Sequence, residues 1–129
     1  MKWDHVGIKS SDIRKSLHFY CDILGFERQE EIEILGKTFY FVGNGSTSIE
    51  IEAGNPGDTQ AEPRLQTGLY HLAFVVDNVR GLVERLKAEA VPIVLEPFST
   101  RPGRLVAFIE DPDGIFIQLI QLVDGSRTE

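Results

Sequence analysis

The chain has 129 residues and a formal net charge of −7, with 42% hydrophobic and 26% charged residues. This balance indicates one globular domain with its own apolar core, and the negative charge argues against nucleic acid and anionic membranes as partners. The single cysteine, Cys21, excludes an internal disulfide and a cysteine-based zinc site. Neither a membrane-spanning apolar run nor a signal-peptide pattern is present in the sequence, so we expect a cytoplasmic protein.

The first half of the chain predicts a β-α-β-β-β order. Ser10, Ser11 or Asp12 can cap a helix over residues 12–23, whose apolar residues recur at the helical period. Gly25 suits the left-handed position that follows a last helical turn. Residues 54–67 carry few large apolar side chains and predict a linker. The strands are expected at residues 3–8, 27–34, 37–43 and 46–52.

The second half predicts the same order of elements. Asp77 or Asn78 can cap a helix that Pro92 cannot continue, and residues 111–114 (Asp-Pro-Asp-Gly) form a strong turn signal before the last strand. We therefore expect an α+β protein with module 1 at 1–53, the linker at 54–67, module 2 at 68–123 and a polar tail at 124–129. The strands of module 2 are expected at residues 69–76, 93–98, 104–110 and 115–122.

Chemically active residues repeat with the strands. His5 and His71 each occupy the second position of a short apolar run, 4–8 and 70–74, within a first strand. Glu50 and Gln118 each stand between aliphatic residues of a last strand. Strand alternation places Glu50 on the face opposite its aliphatic neighbours. Polar groups on an enclosed sheet face need partners, and a bound metal ion is one such partner. A histidine on a strand is also a common structural residue, so the repetition is what favours a metal site.

These segments resemble the vicinal oxygen chelate superfamily, which includes glyoxalase I, bleomycin-resistance proteins and extradiol dioxygenases. The resemblance implies two tandem βαβββ modules whose mixed sheet curves into a cup with the helices outside, and it implies a homodimer. The matching segments, in chain order, are residues 5–8, 19–20 with 24–26, 49–51, 68–74 and 111–119.

The same resemblance assigns metal ligands. It implies that His5, Glu50, His71 and Gln118 hold a divalent ion (Zn, Ni, Co, Mn or Fe), contributed by one chain or by two. The family normally carries Glu at the last position. Gln118 can ligate through its carbonyl oxygen, or it can be a polar residue that only satisfies its own hydrogen bonds, but it cannot act as a base.

Two acidic residues compete for the proton-transfer role. Glu50 and Glu52 lie two positions apart on one strand and therefore share a face. The family pattern favours Glu50 as the ligand, which leaves Glu52 as a neighbouring group or as a proton acceptor at the pocket wall.

The substrate pocket has four candidate residues. Arg101 and Arg104 form either an exposed hairpin or a clamp for a carboxylate or phosphate. Tyr40 and Phe108 are strand aromatics that line either the pocket or the core.

Three functions are compatible with this pattern. We expect first a metal-dependent lyase or isomerase that acts on a small oxygen-rich substrate, with the ion as Lewis acid. The alternative is a ligand-sequestering protein without catalysis, which the loss of the final Glu favours. An extradiol dioxygenase is the third possibility.

Overall fold

The computed structural model describes residues 1–123, and the predicted polar tail lies outside the described residues. The chain forms two compact units, of which the first is Met1–Thr59 and the second begins at Gln60. The first unit contains β1 (Val6–Ser10), α1 (Ile13–Leu17), β2 (Glu27–Ile34), β3 (Lys37–Gly43) and β4 (Ser48–Ala53). The second contains β5 (His71–Val75), α2 (Val79–Ala88), β6 (Ile93–Arg101), β7 (Arg104–Glu110) and β8 (Phe116–Leu122).

Both units have the same sheet topology. The strand orders are β1-β4-β3-β2 and β5-β8-β7-β6. In each sheet the first strand pairs parallel with the last, and the remaining pairs are antiparallel. The prediction of an α+β chain built from two βαβββ modules is therefore confirmed.

One face of each sheet carries the core. Ile49 and Ile51 of β4 are fully buried, as is Ile117 of β8. Glu50 and Gln118, which alternate with these aliphatic residues, are only half-buried. The pleat thus assigns the aliphatic side chains to the packed face of each sheet and the polar candidates to the opposite face.

The first helix differs from the prediction in its geometry. The Asp12 side chain caps it by accepting hydrogen bonds from two backbone N–H groups of the first turn. After Leu17 the chain continues as a π-helical segment, His18–Ile23. Sequence periodicity does not distinguish this segment from an α-helix, yet it is the segment that buries the adjacent rings of Phe19 and Tyr20. The left-handed conformation predicted for Gly25 is confirmed by its φ of 88°.

The connection between β6 and β7 is shorter than predicted. Residues 99–101, which lie beyond the predicted strand 93–98, continue β6 up to Arg101. The hairpin turns at Pro102 and Gly103, and Gly103 has the positive φ (89°) that such a tight turn requires. No helix among residues 1–123 is long and apolar enough to cross a membrane.

Candidate functional site

The first unit brings a histidine, a carboxylate and an aromatic ring together on its polar sheet face. We call His5, Phe41 and Glu50 half-site 1. Phe41 lies directly opposite Glu50 in the β3–β4 register, and its ring meets the His5 ring edge to face with centroids 5.4 Å apart. His5 Nε2 lies 3.6 Å from Glu50 Oε1.

Asp4 fixes the protonation pattern of His5. The Asp4 carboxylate lies 2.6 Å from His5 Nδ1, and an ionised carboxylate can only accept, so Nδ1 carries a proton. Donating this hydrogen bond to Asp4 raises the pKa of His5, and the charge of Glu50 raises it further. In the neutral ring Nε2 then presents its lone pair towards Glu50. A carboxylate that orients a histidine in this way is the usual support of a metal-ligating imidazole.

Gly7 provides the room that the Glu50 carboxylate occupies. It pairs with Glu50 across β1 and β4, and a Cβ at this position would lie 3.2 Å from Glu50 Oε1. The glycine therefore lets the carboxylate lie beside β1, on the same strand that leads from His5. Sequence reasoning missed this role and that of Asp4, although both residues adjoin the predicted first-strand histidine.

The second unit repeats the arrangement with an amide in place of the carboxylate. We call His71, Phe108 and Gln118 half-site 2. Phe108 lies opposite Gln118 in the β7–β8 register, and its ring meets the His71 ring edge to face at 5.1 Å. Ala73 pairs with Gln118 as Gly7 pairs with Glu50. His71 Nδ1 is buried and has no hydrogen-bond partner among residues 1–123.

The donors of the two half-sites fit a divalent ion. Each half-site offers one imidazole and one oxygen donor, a set that suits Zn and other first-row metals. Two ligand atoms bonded at about 2.1 Å to one ion lie roughly 3.0–3.7 Å apart, and the distance from His5 Nε2 to Glu50 Oε1 falls in this range. Within residues 1–123, however, no three or more His, Cys, Asp and Glu side chains are grouped so as to hold a metal. The four-ligand centre therefore remains a prediction.

The two candidate bases differ in their partners. Glu52 accepts a hydrogen bond from Lys37 Nζ at 2.7 Å, so its charge is compensated by a cation. The Glu50 carboxylate, 21% exposed, makes no ion pair with Lys or Arg within the described part of the chain. Glu50 is thus the carboxylate of this strand whose charge remains available to a ligand.

Of the two aromatic residues predicted to line the pocket, only one lies on a polar sheet face. Tyr40 pairs with the buried Ile51 and therefore lies on the sheet face opposite Glu50, where the Arg28 guanidinium stacks on its ring at 5.8 Å. Phe108, by contrast, belongs to half-site 2.

The two predicted arginines face each other across the β6–β7 hairpin. Arg104 shares the sheet face of Phe108 and Gln118 but stands four residues away along β7, about 13 Å. Neither Arg101 nor Arg104 forms an ion pair with a residue in the range 1–123. The anion clamp remains a prediction.

Known proteins resemble this chain in sequence and in fold. The chain belongs to the Glyoxalase/Bleomycin resistance protein/Dioxygenase superfamily, which matches residues 2–119. The resemblance to the vicinal oxygen chelate superfamily is thereby confirmed.

Relatives of similar length carry the name of a lyase. The chain is 35% identical over 122 residues to a probable lactoylglutathione lyase of Synechocystis sp., covering 91% of this chain and 92% of that protein. It is 32% identical over 130 residues to a lactoylglutathione lyase of Neisseria meningitidis, covering 97% and 94%. The structure of a trypanothione-dependent glyoxalase I of Leishmania major superposes with a TM-score of 0.75 at 27% identity, covering 91% and 84%.

Proposed function

We propose that this protein is a metal-dependent lyase or isomerase that acts on the adduct of a 2-oxoaldehyde and a small thiol. The observation that carries the proposal is that half-sites 1 and 2 repeat one arrangement. In each, a phenylalanine ring packs edge to face against an imidazole, on a sheet face that also carries an oxygen donor. The names of the relatives indicate the substrate class, because lactoylglutathione is the thioester isomer of the methylglyoxal–glutathione adduct.

His5, Glu50, His71 and Gln118 would hold the ion. When bound, the ion supplies Lewis-acid polarisation of the substrate oxygens. The chain itself must supply the base, since converting the adduct into the thioester moves a proton between neighbouring carbons. Glu50 is the only carboxylate among the four ligands, so it takes the proton and returns it. A single base suits this isomerisation, in which one group can perform both transfers.

Asp4 and Lys37 act on the two residues that neighbour this base, His5 and Glu52. Asp4 holds the imidazole of His5 in the tautomer that leaves Nε2 towards Glu50. Lys37 forms an ion pair with the neighbouring Glu52 carboxylate. Because this ion pair holds Glu52, we expect Glu52→Gln to retain most activity. Like the relatives, the protein would act on a small molecule, and the superfamily resemblance suggests a homodimer.

Gln118 supports a second candidate function, a binding protein that sequesters its ligand. An amide in the position where the superfamily normally places Glu removes one potential base. Such a protein would bind metal and adduct without turnover. The two functions therefore predict the same binding behaviour and opposite kinetic behaviour.

The experiment measures isomerisation of the methylglyoxal–glutathione adduct by protein loaded in turn with Zn, Ni, Co, Mn and Fe(II). We expect turnover with at least one metal, a loss of 100-fold or more in Glu50→Gln, because a general base typically contributes 10²–10⁴-fold, and little loss in Glu52→Gln. His18→Ala is the matched histidine control, because His18 is exposed and pairs with Asp22 outside both half-sites. Metal and adduct binding without turnover in every metal form would favour the sequestering protein, and Glu50→Gln activity equal to wild type would refute the assignment of the base.

A further inference from the structure

A cavity of about 310 Å³ lies in the first unit, between its first helical region and β2. It is large enough for a small ligand, since small-molecule sites begin at about 300 Å³. The side chains that line it come from α1, from the π-helical segment and from β2: Arg14, Leu17, His18, Cys21, Asp22 and Arg28. An adjoining depression shares Arg14 and His18 with this cavity and adds Asp12 and Lys15. We call the two together the outer basic cavity.

The outer basic cavity lies on the sheet face opposite half-site 1. Arg28 pairs with the fully buried Val42 across β2 and β3, so both residues belong to the packed face of the sheet. Phe41, the preceding residue of β3, pairs with Glu50 and belongs to the polar face. The cavity is therefore a feature that the proposed function does not use, and a ligand bound in it would not touch Glu50.

The backbone around this cavity has a conformation that is rare in proteins. Three of the lining residues, His18, Cys21 and Asp22, belong to the π-helical segment. Turns of this kind occur frequently at functional sites. The same segment buries Phe19 and Tyr20, so the wall of the cavity is anchored to the core of the unit.

The cations of the outer basic cavity carry charge that the protein leaves uncompensated. Neither Arg14 nor Lys15 forms an ion pair with a carboxylate among residues 1–123. Arg28 stacks on the Tyr40 ring, and its ion pair with Glu31 has an N–O distance of 3.4 Å. Stacking orients the planar guanidinium, and a single long contact leaves most of its five N–H donors available to a ligand.

The carboxylates near these cations are engaged by other groups. Asp12 accepts hydrogen bonds from two backbone N–H groups of the first turn of α1. Asp22 Oδ2 lies 2.8 Å from His18 Nδ1 and accepts its hydrogen bond. In a chain with 20 acidic and 13 basic residues, a cavity lined by uncompensated cations indicates an anionic ligand.

We propose that the outer basic cavity binds the phosphoryl group of a small molecule. Arg14 and Arg28 contact its oxygens, because a guanidinium offers parallel N–H donors that match the geometry of a phosphate. Lys15 adds a third positive charge from the adjoining depression. The ligand is free phosphate or a phosphate ester, since both present the same oxygens. This site goes beyond the proposed function and does not depend on it.

NMR titration of the isotope-labelled full-length protein with inorganic phosphate tests the position of the site. We expect saturable shifts at residues 14–22 and at Arg28. These shifts should be alike in metal-free and zinc-loaded protein, because the cavity and half-site 1 lie on opposite faces of the sheet. Shifts centred instead on the half-sites or on Arg101 and Arg104, or the absence of any saturable shift, would overturn the proposal.

Charge variants test the contacts in the same titration. A charged contact in a cavity open to solvent contributes less than a buried one, so we expect Arg14→Gln and Arg28→Gln each to weaken phosphate binding about three- to tenfold. Arg80→Gln is the matched control, because it removes the same charge from an exposed position of α2, and it should bind like wild type. Wild-type affinity in Arg14→Gln, or an equal loss in Arg80→Gln, would overturn the proposal.

Titration with glycerophosphate separates the two sources of the phosphoryl group. Tighter binding of this ester than of inorganic phosphate would assign the cavity to a phosphate ester, and equal or weaker binding would assign it to free phosphate. Either result supports the site when Arg14→Gln weakens the binding, and neither does when Arg14→Gln leaves it intact. These titrations contain no thiol adduct, so their outcome does not depend on whether the protein is a lyase.

Discussion

Replacing Gly7 by alanine should weaken metal binding while leaving the fold as stable as before or more so. The added Cβ would stand 3.2 Å from Glu50 Oε1, whereas ordinary van der Waals contact begins at 3.4 Å, so the carboxylate must shift by a few tenths of an ångström. Displacements of about 1 Å in a site can cost about 100-fold, which scales to a three- to tenfold loss of affinity here. Gly7 has no positive φ, so Gly7→Ala should stabilise the fold by about 0.4–1 kcal/mol through the unfolded chain.

Competition against a chromophoric chelator measures the affinity, and urea unfolding of the metal-free protein measures the stability. The matched background is Glu50→Ala, in which the added methyl group meets no carboxylate and should have no further effect on affinity. Equal metal affinities of wild type and Gly7→Ala would refute the reasoning. So would an equal loss in the Glu50→Ala background, because the effect would then not act through the carboxylate.

Further predictions concern Asp4, Ile117 and Asp111. Asp4→Asn should lower the pKa of His5, because the hydrogen bond to Asp4 is the largest cause of its elevation; NMR titration of the metal-free protein measures it, and an unchanged midpoint contradicts the assignment. Ile117→Ala should reduce the free energy of unfolding by about 2–5 kcal/mol in urea, because Ile117 is fully buried; a loss below 1 kcal/mol argues against that packing. Asp111→Ala should lower the free energy of unfolding in urea by about 1–3 kcal/mol, because the buried Asp111 carboxylate accepts hydrogen bonds from two backbone N–H groups of the β7–β8 turn. An unchanged free energy of unfolding would refute this.

The strands and the repeat were predictable because local pattern determines them. The predicted bounds of β2 and β3 match the structure, since turn residues flank both strands and fix where each begins and ends. The placement of Glu50 and Gln118 follows from period-two alternation, which assigns both to the face opposite their aliphatic neighbours. These features depend on near neighbours in sequence and therefore need no knowledge of tertiary contacts.

The placement of Tyr40 was not predictable from residue type. Tyr40 and Phe41 are adjacent aromatics, and only the β3–β4 register decides which of them shares a face with Glu50. That register aligns Phe41 with Glu50 and Tyr40 with Ile51. A shift of one residue would exchange the two rings, so the choice depends on pairing between strands rather than on the local sequence.

Longer-range contacts account for the other differences. Arg64 reaches the Phe116 ring from a segment without regular structure, and nothing in its neighbourhood in the sequence signals that contact. Residues 99–101 continue β6 because Ser99 and Arg101 pair with β7, although the local sequence predicts that the strand ends at residue 98. In both cases a partner far along the chain, or across a hairpin, overrides the local composition.

The stoichiometry of metal binding tests the central proposal, that both half-sites hold the same ion. Plasma mass spectrometry of purified protein, combined with calorimetric titration, gives the number of ions per chain in wild type, His5→Ala, His71→Ala and the control His18→Ala. The proposal predicts one ion per chain in wild type and in His18→Ala, and loss of that ion in His5→Ala and in His71→Ala alike. Full metal content in either His5→Ala or His71→Ala, or two independent ions per wild-type chain, would contradict it.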